Sequence, residues 1–104
     1  KLGHEIILYG TGYTCSELMD NLQIPLSKLN LTIVNSNKFE DGYLYLRPDD
    51  QKNIVHYAGS YLKDKHIPLI VLAVRSKAFK QEIEQLLKSI NCQCDELLYI
   101  YDND

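Results

Sequence analysis

A chain of 104 residues with 45% apolar and 24% charged side chains has the length for one domain of modest core, and its composition is not that of a disordered segment. A net charge of −3 without a long basic run argues against nucleic acid as the main partner, because a phosphate-tracking surface needs a basic excess. Three cysteines are too few for a disulfide scaffold, and an odd count fits a reducing, cytoplasmic setting.

The longest apolar runs, Ile6–Tyr9 and Leu69–Val74, fall far short of the ~18 residues of a membrane span. No signal peptide pattern is present. The chain begins Lys1-Leu2-Gly3-His4, so residues 1–104 read as a single domain cut from something longer.

In chain order, residues 5–9 read as a buried strand that runs into Gly10-Thr11-Gly12. Cys15, Leu18, Met19 and Leu22 then recur at helical spacing, and Thr14 with Glu17 matches a capping box that would start this helix slightly late. Residues 31–34 form a second strand, closed by Asn35-Ser36-Asn37-Lys38. Glu40-Asp41-Gly42 is a turn signal, and residues 43–46 suggest a short third strand. Pro48-Asp49-Asp50 reads as a helix start, with Ile54, Val55, Ala58 and Leu62 as that helix's apolar face.

Pro68 opens the clearest strand, residues 69–74, whose continuous apolar run predicts burial on both faces. Ser76 caps the next helix, with Phe79, Ile83, Leu86, Leu87 and Ile90 as its core stripe and Asn91 in the left-handed position after it. Residues 97–101 form a last, edge strand. The order β-α-β-β-α-β-α-β predicts a Rossmann-like α/β fold, an open parallel sheet in the order 3-2-1-4-5 with helices on both faces. The 69–74 strand should be central, with the 5–9 strand parallel beside it.

A glycine pair between a strand and a helix can cradle a phosphate on backbone N–H groups, or it can serve only the turn. The candidate binding residues are Gly10, Thr11, Gly12, Tyr13, Thr14, Asn35 and Arg75. Cys15 stands where a full dinucleotide fingerprint has its third glycine. Asn35 stands where such a fingerprint has the acid that holds a ribose. Arg75 follows the central strand at its C-terminal end, where it would pair with a phosphate or stay solvated.

Cys15 reads as a packing residue, since its spacing places it on the core face of the helix. Cys92 and Cys94 are one residue apart, too close for the usual zinc spacing, and His4, His56 and His66 show no metal pattern. No catalytic or metal-binding residue is assigned. Tyr99 and Tyr101 alternate with Leu98 and Ile100, so self-association or docking to an attached catalytic domain is expected along the last strand or its adjacent helix.

Three segments together carry a resemblance: Ile7-Leu8-Tyr9-Gly10-Thr11-Gly12, Ile33-Val34-Asn35-Ser36-Asn37-Lys38, and 69–74 with Glu82-Ile83-Glu84-Gln85-Leu86. The chain resembles the small bacterial Rossmann-like domains that precede the β-helix of PglD-type sugar acetyltransferases. Similar domains accompany methyltransferases and glycosyltransferases of polysaccharide pathways. The resemblance implies a nucleotide site at Gly10, Gly12, Tyr13 and Asn35, which would take the UDP part of a sugar nucleotide. Where the family often has Gly-His after the second glycine, this chain has Tyr13-Thr14-Cys15. The β-helix that would carry acetyl transfer is not in these residues.

The expectation is a nucleotide- or sugar-nucleotide-binding accessory domain of a bacterial surface-glycan enzyme, not catalytic on its own. Two rivals stand beside it. One is a structural or dimerisation domain whose ligand site has decayed, and the other is a fragment of an NAD-binding oxidoreductase. The cofactor stays open among UDP-sugars and other nucleotides.

Overall fold

The computed structural model describes residues 4–21 and 25–99, apart from the side chain of Tyr13. Strand β1 (Glu5–Tyr9) passes through the glycine turn into helix α1 (Tyr13–Asp20). A 3-10 turn (Leu26–Lys28) leads into β2 (Asn30–Asn35), and a second one (Lys38–Glu40) follows it. Next come β3 (Leu44–Leu46), β4 (Lys52–Tyr57) and the single-turn helix α2 (Ala58–Tyr61). Strand β5 (His66–Leu72), helix α3 (Lys77–Ser89) and strand β6 (Gln93–Tyr99) complete the described elements.

The strands form one six-stranded mixed sheet in the order β3-β4-β2-β1-β5-β6. Strands β4, β2, β1, β5 and β6 run parallel, and β3 pairs antiparallel with β4. This overturns the expected five-stranded, all-parallel sheet in the order 3-2-1-4-5. It is therefore not the open parallel Rossmann-type sheet that the expectation of a nucleotide-binding fold implied. The β1 and β5 strands are adjacent, parallel and interior, with Ile7 opposite Ile70.

The correction has one local cause: residues 48–57 are the turn and second strand of a hairpin, not a helix. Pro48-Asp49-Asp50 is the turn, in which Asp50 takes φ 66 and its N–H donates to the Arg47 carbonyl at 3.0 Å. Proline and aspartate suit a turn as well as a helix entry, and aspartate tolerates the left-handed conformation. Arg47 then donates from its backbone N–H to the Gln51 carbonyl at 2.8 Å, which closes the hairpin. The run Ile54-Val55-His56-Tyr57 is β-branched and aromatic, a composition that favours a strand. Only Ala58 and Leu62, both fully buried, keep the helical spacing expected of this segment.

Helices cover both faces. On one face Cys15 and Met19 of α1 pack with Leu8, Ile33, Val55 and Val71. On the other, Ala58 and Leu62 with Ile83 and Leu87 of α3 pack against Ile7, Tyr9, Val34, Ile70 and Leu72. Successive residues of β1 thus enter opposite cores, as the two-residue period of a strand requires.

Helix α1 starts at Tyr13 with Gly12 as its N-cap, earlier than the Thr14–Glu17 capping box predicts, and no side chain caps it. Leu22 lies outside the described residues. Ser76 does cap α3, accepting from the Phe79 N–H at 3.3 Å, and Asn91 follows it at φ 58. Among the described residues, no helix is long and apolar enough to cross a membrane.

Candidate functional site

Parallel strands deliver their C-terminal ends to one edge of the sheet, and here β1, β2 and β5 end side by side. The Gly10 N–H donates to the Val34 carbonyl at 2.9 Å, and the Ala73 N–H donates to the Tyr9 carbonyl at 2.9 Å. From this point the chain leaves β1 through α1 toward β2 on one side, while β5 and α3 lie on the other. An opening at such a divergence is where ligands enter open α/β sheets.

A crevice of about 430 Å³ lies there. Gly10, Thr11, Gly12, Thr14, Asn35 and Arg75 all line it, together with Tyr9, Ser36 and the Ala73–Ser76 loop. Tyr13 contributes the first residue of α1, and its side chain lies outside the described residues. Phe79 and Ile83 of α3 form a further wall. Phe79 was expected in the core, yet it is 56% exposed. It sits in the first turn of α3, just past the Ser76 cap, and that turn faces the strand ends. The position of a residue within the first turn is the signal that sequence periodicity alone passes over.

The two glycines play different parts. Gly10 has φ 126, and a Cβ there would stand 2.8 Å from the Ala73 carbonyl oxygen, so no other residue fits without a backbone shift. Gly12 has φ −83, and a Cβ there would meet nothing within 4 Å. The first glycine serves the fold, and the second keeps the mouth of the crevice open.

Two helix N-termini meet at this crevice. Cys15 and Ser16 donate to the Gly12 carbonyl, so the N–H groups of Tyr13 and Thr14 have no acceptor within α1. The start of α3 lies opposite, at Ser76. Neither helix carries an acidic residue in its first turn, and among the described residues the carboxylate at this site is that of Glu40, which stands behind the lining residues Thr11 and Asn35. The partial positive ends of both helices therefore face one cavity.

The polar side chains of the site are engaged with one another. Asn35 donates through Nδ2 to Thr11 Oγ1 at 2.6 Å and to Glu40 Oε1 at 3.0 Å. Asn35 Oδ1 accepts from the Asn37 N–H at 2.7 Å. Glu40 also accepts from Thr11 Oγ1 at 3.3 Å and from Asn37 Nδ2 at 3.1 Å. Glu40 is the residue that sequence reading missed: it brings a carboxylate to the end of β2, five positions after Asn35, by way of the 3-10 turn. Arg75 pairs with Glu17 at 3.3 Å on the exposed rim.

Tyr9 reaches the crevice from the core. Its ring is 2% exposed, and its hydroxyl lies 2.5 Å from Ser36 Oγ. Burial pushes this phenol above its usual value, against a smaller lowering by the Ser36 hydrogen bond. Cys15 is fully buried and its thiol is likewise pushed up, so it is a packing group and no thiolate nucleophile. Burial also raises Cys92 and Cys94. His56 stacks on Tyr61 with ring centroids 4.4 Å apart. None of these groups forms a nucleophile–base pair at the crevice.

A larger cavity, about 640 Å³, lies at the opposite end of β2 and β4, between the Leu26–Lys28 turn and the β3–β4 turn. Its one strongly buried cation, Arg47, is fully directed at Asp49 and Asn53. No end of α1, α2 or α3 is part of its lining. No family model, no curated protein and no solved structure matches this chain.

Proposed function

We propose that the crevice at the ends of β1, β2 and β5 binds the phosphate-bearing part of a nucleotide or nucleotide-sugar, in a domain that is not itself a catalyst. The observation that carries this reading is the meeting of two helix N-termini at one crevice, where the missing side chain of Gly12 leaves the N–H groups at the start of α1 open to a ligand. The reading rests on this site and not on fold class, since function follows from the site a fold presents. The apolar wall of Phe79, Ile83 and Val74 suits the uncharged remainder of such a ligand. UDP-sugars lead the candidates because of the resemblance to PglD-type domains, which would make this an accessory domain of a surface-glycan enzyme.

A second reading, a structural domain without a ligand, gains from one observation. The Asn35 amide is already occupied by Thr11, Glu40 and Asn37, which leaves it little to offer a ribose or a base.

Thermal shift with UDP, UDP-sugars, CMP-sugars and NAD, on the native protein and on Gly12→Val, separates the two. A ligand at the crevice raises the melting temperature of the native protein by mass action, and Gly12→Val abolishes the shift. If no nucleotide shifts the native protein at millimolar concentration, the structural reading replaces the proposal. An equal shift in Gly12→Val places the ligand elsewhere.

A further inference from the structure

Among the polar side chains that line the crevice, Thr14 is the exception to mutual pairing. Thr11 and Asn35 bond each other, Ser36 bonds Tyr9, and Ser76 accepts from the Phe79 N–H. Thr14 is only 9% exposed, yet its hydroxyl has no hydrogen-bond partner among the described residues. Its oxygen is not sealed in the core, because no fully buried side-chain oxygen among those residues lacks a partner. The hydroxyl therefore opens on the part of Thr14 that is not packed, the wall of the crevice.

Helix α1 fixes that direction. Cys15 and Met19 turn one face to the core, and Ser16 turns another to Tyr45, whose hydroxyl it meets at 2.5 Å. Thr14 and Glu17, three positions apart, share the face toward the β5 side, where Arg75 meets Glu17 at 3.3 Å. A valine at position 14 would pack as well and leave no polar group unpaired. A hydroxyl held in this place calls for a partner that the protein does not supply.

The bonding chemistry identifies that partner. The N–H groups of Tyr13 and Thr14 stand beside the hydroxyl without an acceptor in α1. The Tyr9–Ser36 pair spends one of its two hydroxyl hydrogens and keeps the other. The acceptors close by are engaged: Asn35 Oδ1 accepts from the Asn37 N–H, and Glu40 accepts from Thr11, Asn35 and Asn37. A wall with hydrogens to give and its acceptors engaged suits an oxyanion, which brings only lone pairs.

We infer that the Thr14 hydroxyl anchors the ligand's phosphate beside the N–H groups of Tyr13 and Thr14, and that Glu17 competes with this phosphate for Arg75. This placement rests on the crevice being a phosphate site. The side chains of Arg75 and Glu17 are 59% and 37% exposed, so their pair is weak and Arg75 exchanges one anion for another at little cost. Arg75 also lines the crevice, within the same opening as Thr14. Glu17 thus lowers the affinity of the site by occupying the cation that would otherwise close over the phosphate.

Inorganic pyrophosphate, the group shared by UDP-sugars and NAD, is the probe, titrated into the protein and followed through its backbone amide signals by NMR. In the wild type the Tyr13 and Thr14 amides are expected to shift. Thr14→Val keeps the shape of the side chain and is expected to bind about tenfold more weakly. Thr14→Ser is expected to recover most of that loss. Glu17→Gln, on the exposed rim, is expected to bind about threefold more tightly. That gain should vanish once Arg75→Gln is added, since no cation is then contested, whereas plain charge repulsion by Glu17 would persist. Wild-type amides unmoved up to roughly 10 mM pyrophosphate, or shifts confined to amides elsewhere, overturn the inference. So does a Thr14→Val protein that binds as tightly as the wild type, or a Glu17→Gln gain that survives Arg75→Gln. The crevice itself is judged separately, by nucleotides on the native protein and on Gly12→Val. Nucleotides that bind the first and not the second, beside an indifferent Thr14→Val, keep the phosphate site and remove only its anchor.

Discussion

The Cα of Gly10 packs so closely beneath the carbonyl of Ala73 that a Cβ on residue 10 would lie 2.8 Å from the oxygen. The contact joins the end of β1 to the loop after β5, the two segments that form the floor of the crevice. Gly10→Ala brings both a backbone clash and a side chain at φ 126, and is expected to cost about 2–4 kcal/mol. Gly12→Ala has open space and an ordinary φ, and is expected to stay within about 1 kcal/mol of the native protein. Urea denaturation of the two variants checks this. Equal costs would mean that the loop shifts freely and does not fix the crevice.

The titration of the core makes a second prediction. The Tyr9, Tyr45 and Tyr61 phenols and the Cys15 thiol are all raised, each chiefly by burial. A group with a raised folded pKa holds its proton in the folded state after the unfolded chain has released it. Its stabilising share is present below the unfolded pKa and is lost as pH rises through the folded one. Stability should therefore fall from about pH 8.5, where unfolded thiols titrate, and more steeply above about pH 10, where phenols do. The slope approaches about 1.4 kcal/mol per pH unit for each group still protonated only in the folded state. Chemical denaturation from pH 7 to 11 reads the slope. Tyr9→Phe should flatten the part above pH 10, and an unchanged curve would contradict the assigned burial effect.

Much of this chain was legible because its signals were redundant. The run from Glu5 to Tyr9 ends at a glycine pair, and the Ser76 cap and Asn91 bracket α3 at both ends. The hairpin was not legible, because Pro48-Asp49-Asp50 suits a helix entry as well as a turn. The deciding bonds, Arg47 to Asp49, Asn53 and Gln51, bring together side-chain and backbone groups that no periodicity reveals. At the site, strand order brought Gly10, Asn35 and Arg75 together, which the sequence did foreshadow. Glu40 reads in the sequence only as part of a turn and Phe79 only as core, because a 3-10 turn and a helix's first turn, rather than a repeating face, aim them at the site.

That hairpin turn supplies a third prediction. Arg47 donates through Nε to Asp49 Oδ1 at 3.0 Å and through Nη1 to Asn53 Oδ1 at 3.0 Å, while the Gln51 N–H donates to Asp49 Oδ1 at 3.3 Å. The Arg47 hydrogen bonds hold the Asp49 carboxyl below the usual range. Asp49 thus stabilises the turn above the ordinary aspartate pKa, and that share is lost as pH falls through its lowered value. In a carboxyl NMR titration Arg47→Gln should return Asp49 toward about 3.9. A titration unchanged by the substitution would remove Arg47 as the cause.

The last prediction concerns Asn35 and separates a ribose-binding role for this position from a structural one. In a dinucleotide site an aspartate at the end of the second strand improves binding through the ribose hydroxyls. Here Glu40 Oε1 already stands 3.0 Å from Asn35 Nδ2, so Asn35→Asp turns a hydrogen bond into a contact between two carboxylates. Like charges at that distance are expected to cost about 1–3 kcal/mol at pH 7. One of the pair then has a raised pKa, so the penalty is present above that pKa and is relieved as pH falls and a shared proton restores the bond. The double variant Asn35→Asp with Glu40→Gln restores one donor and one acceptor, and should recover most of the loss at pH 7. Denaturation of the single and double variants at pH 7 and pH 4.5 measures each term. A single variant as stable as the native protein at pH 7 would show that Glu40 swings away from Asn35, and that the end of β2 is free to hold a ribose with its own acid.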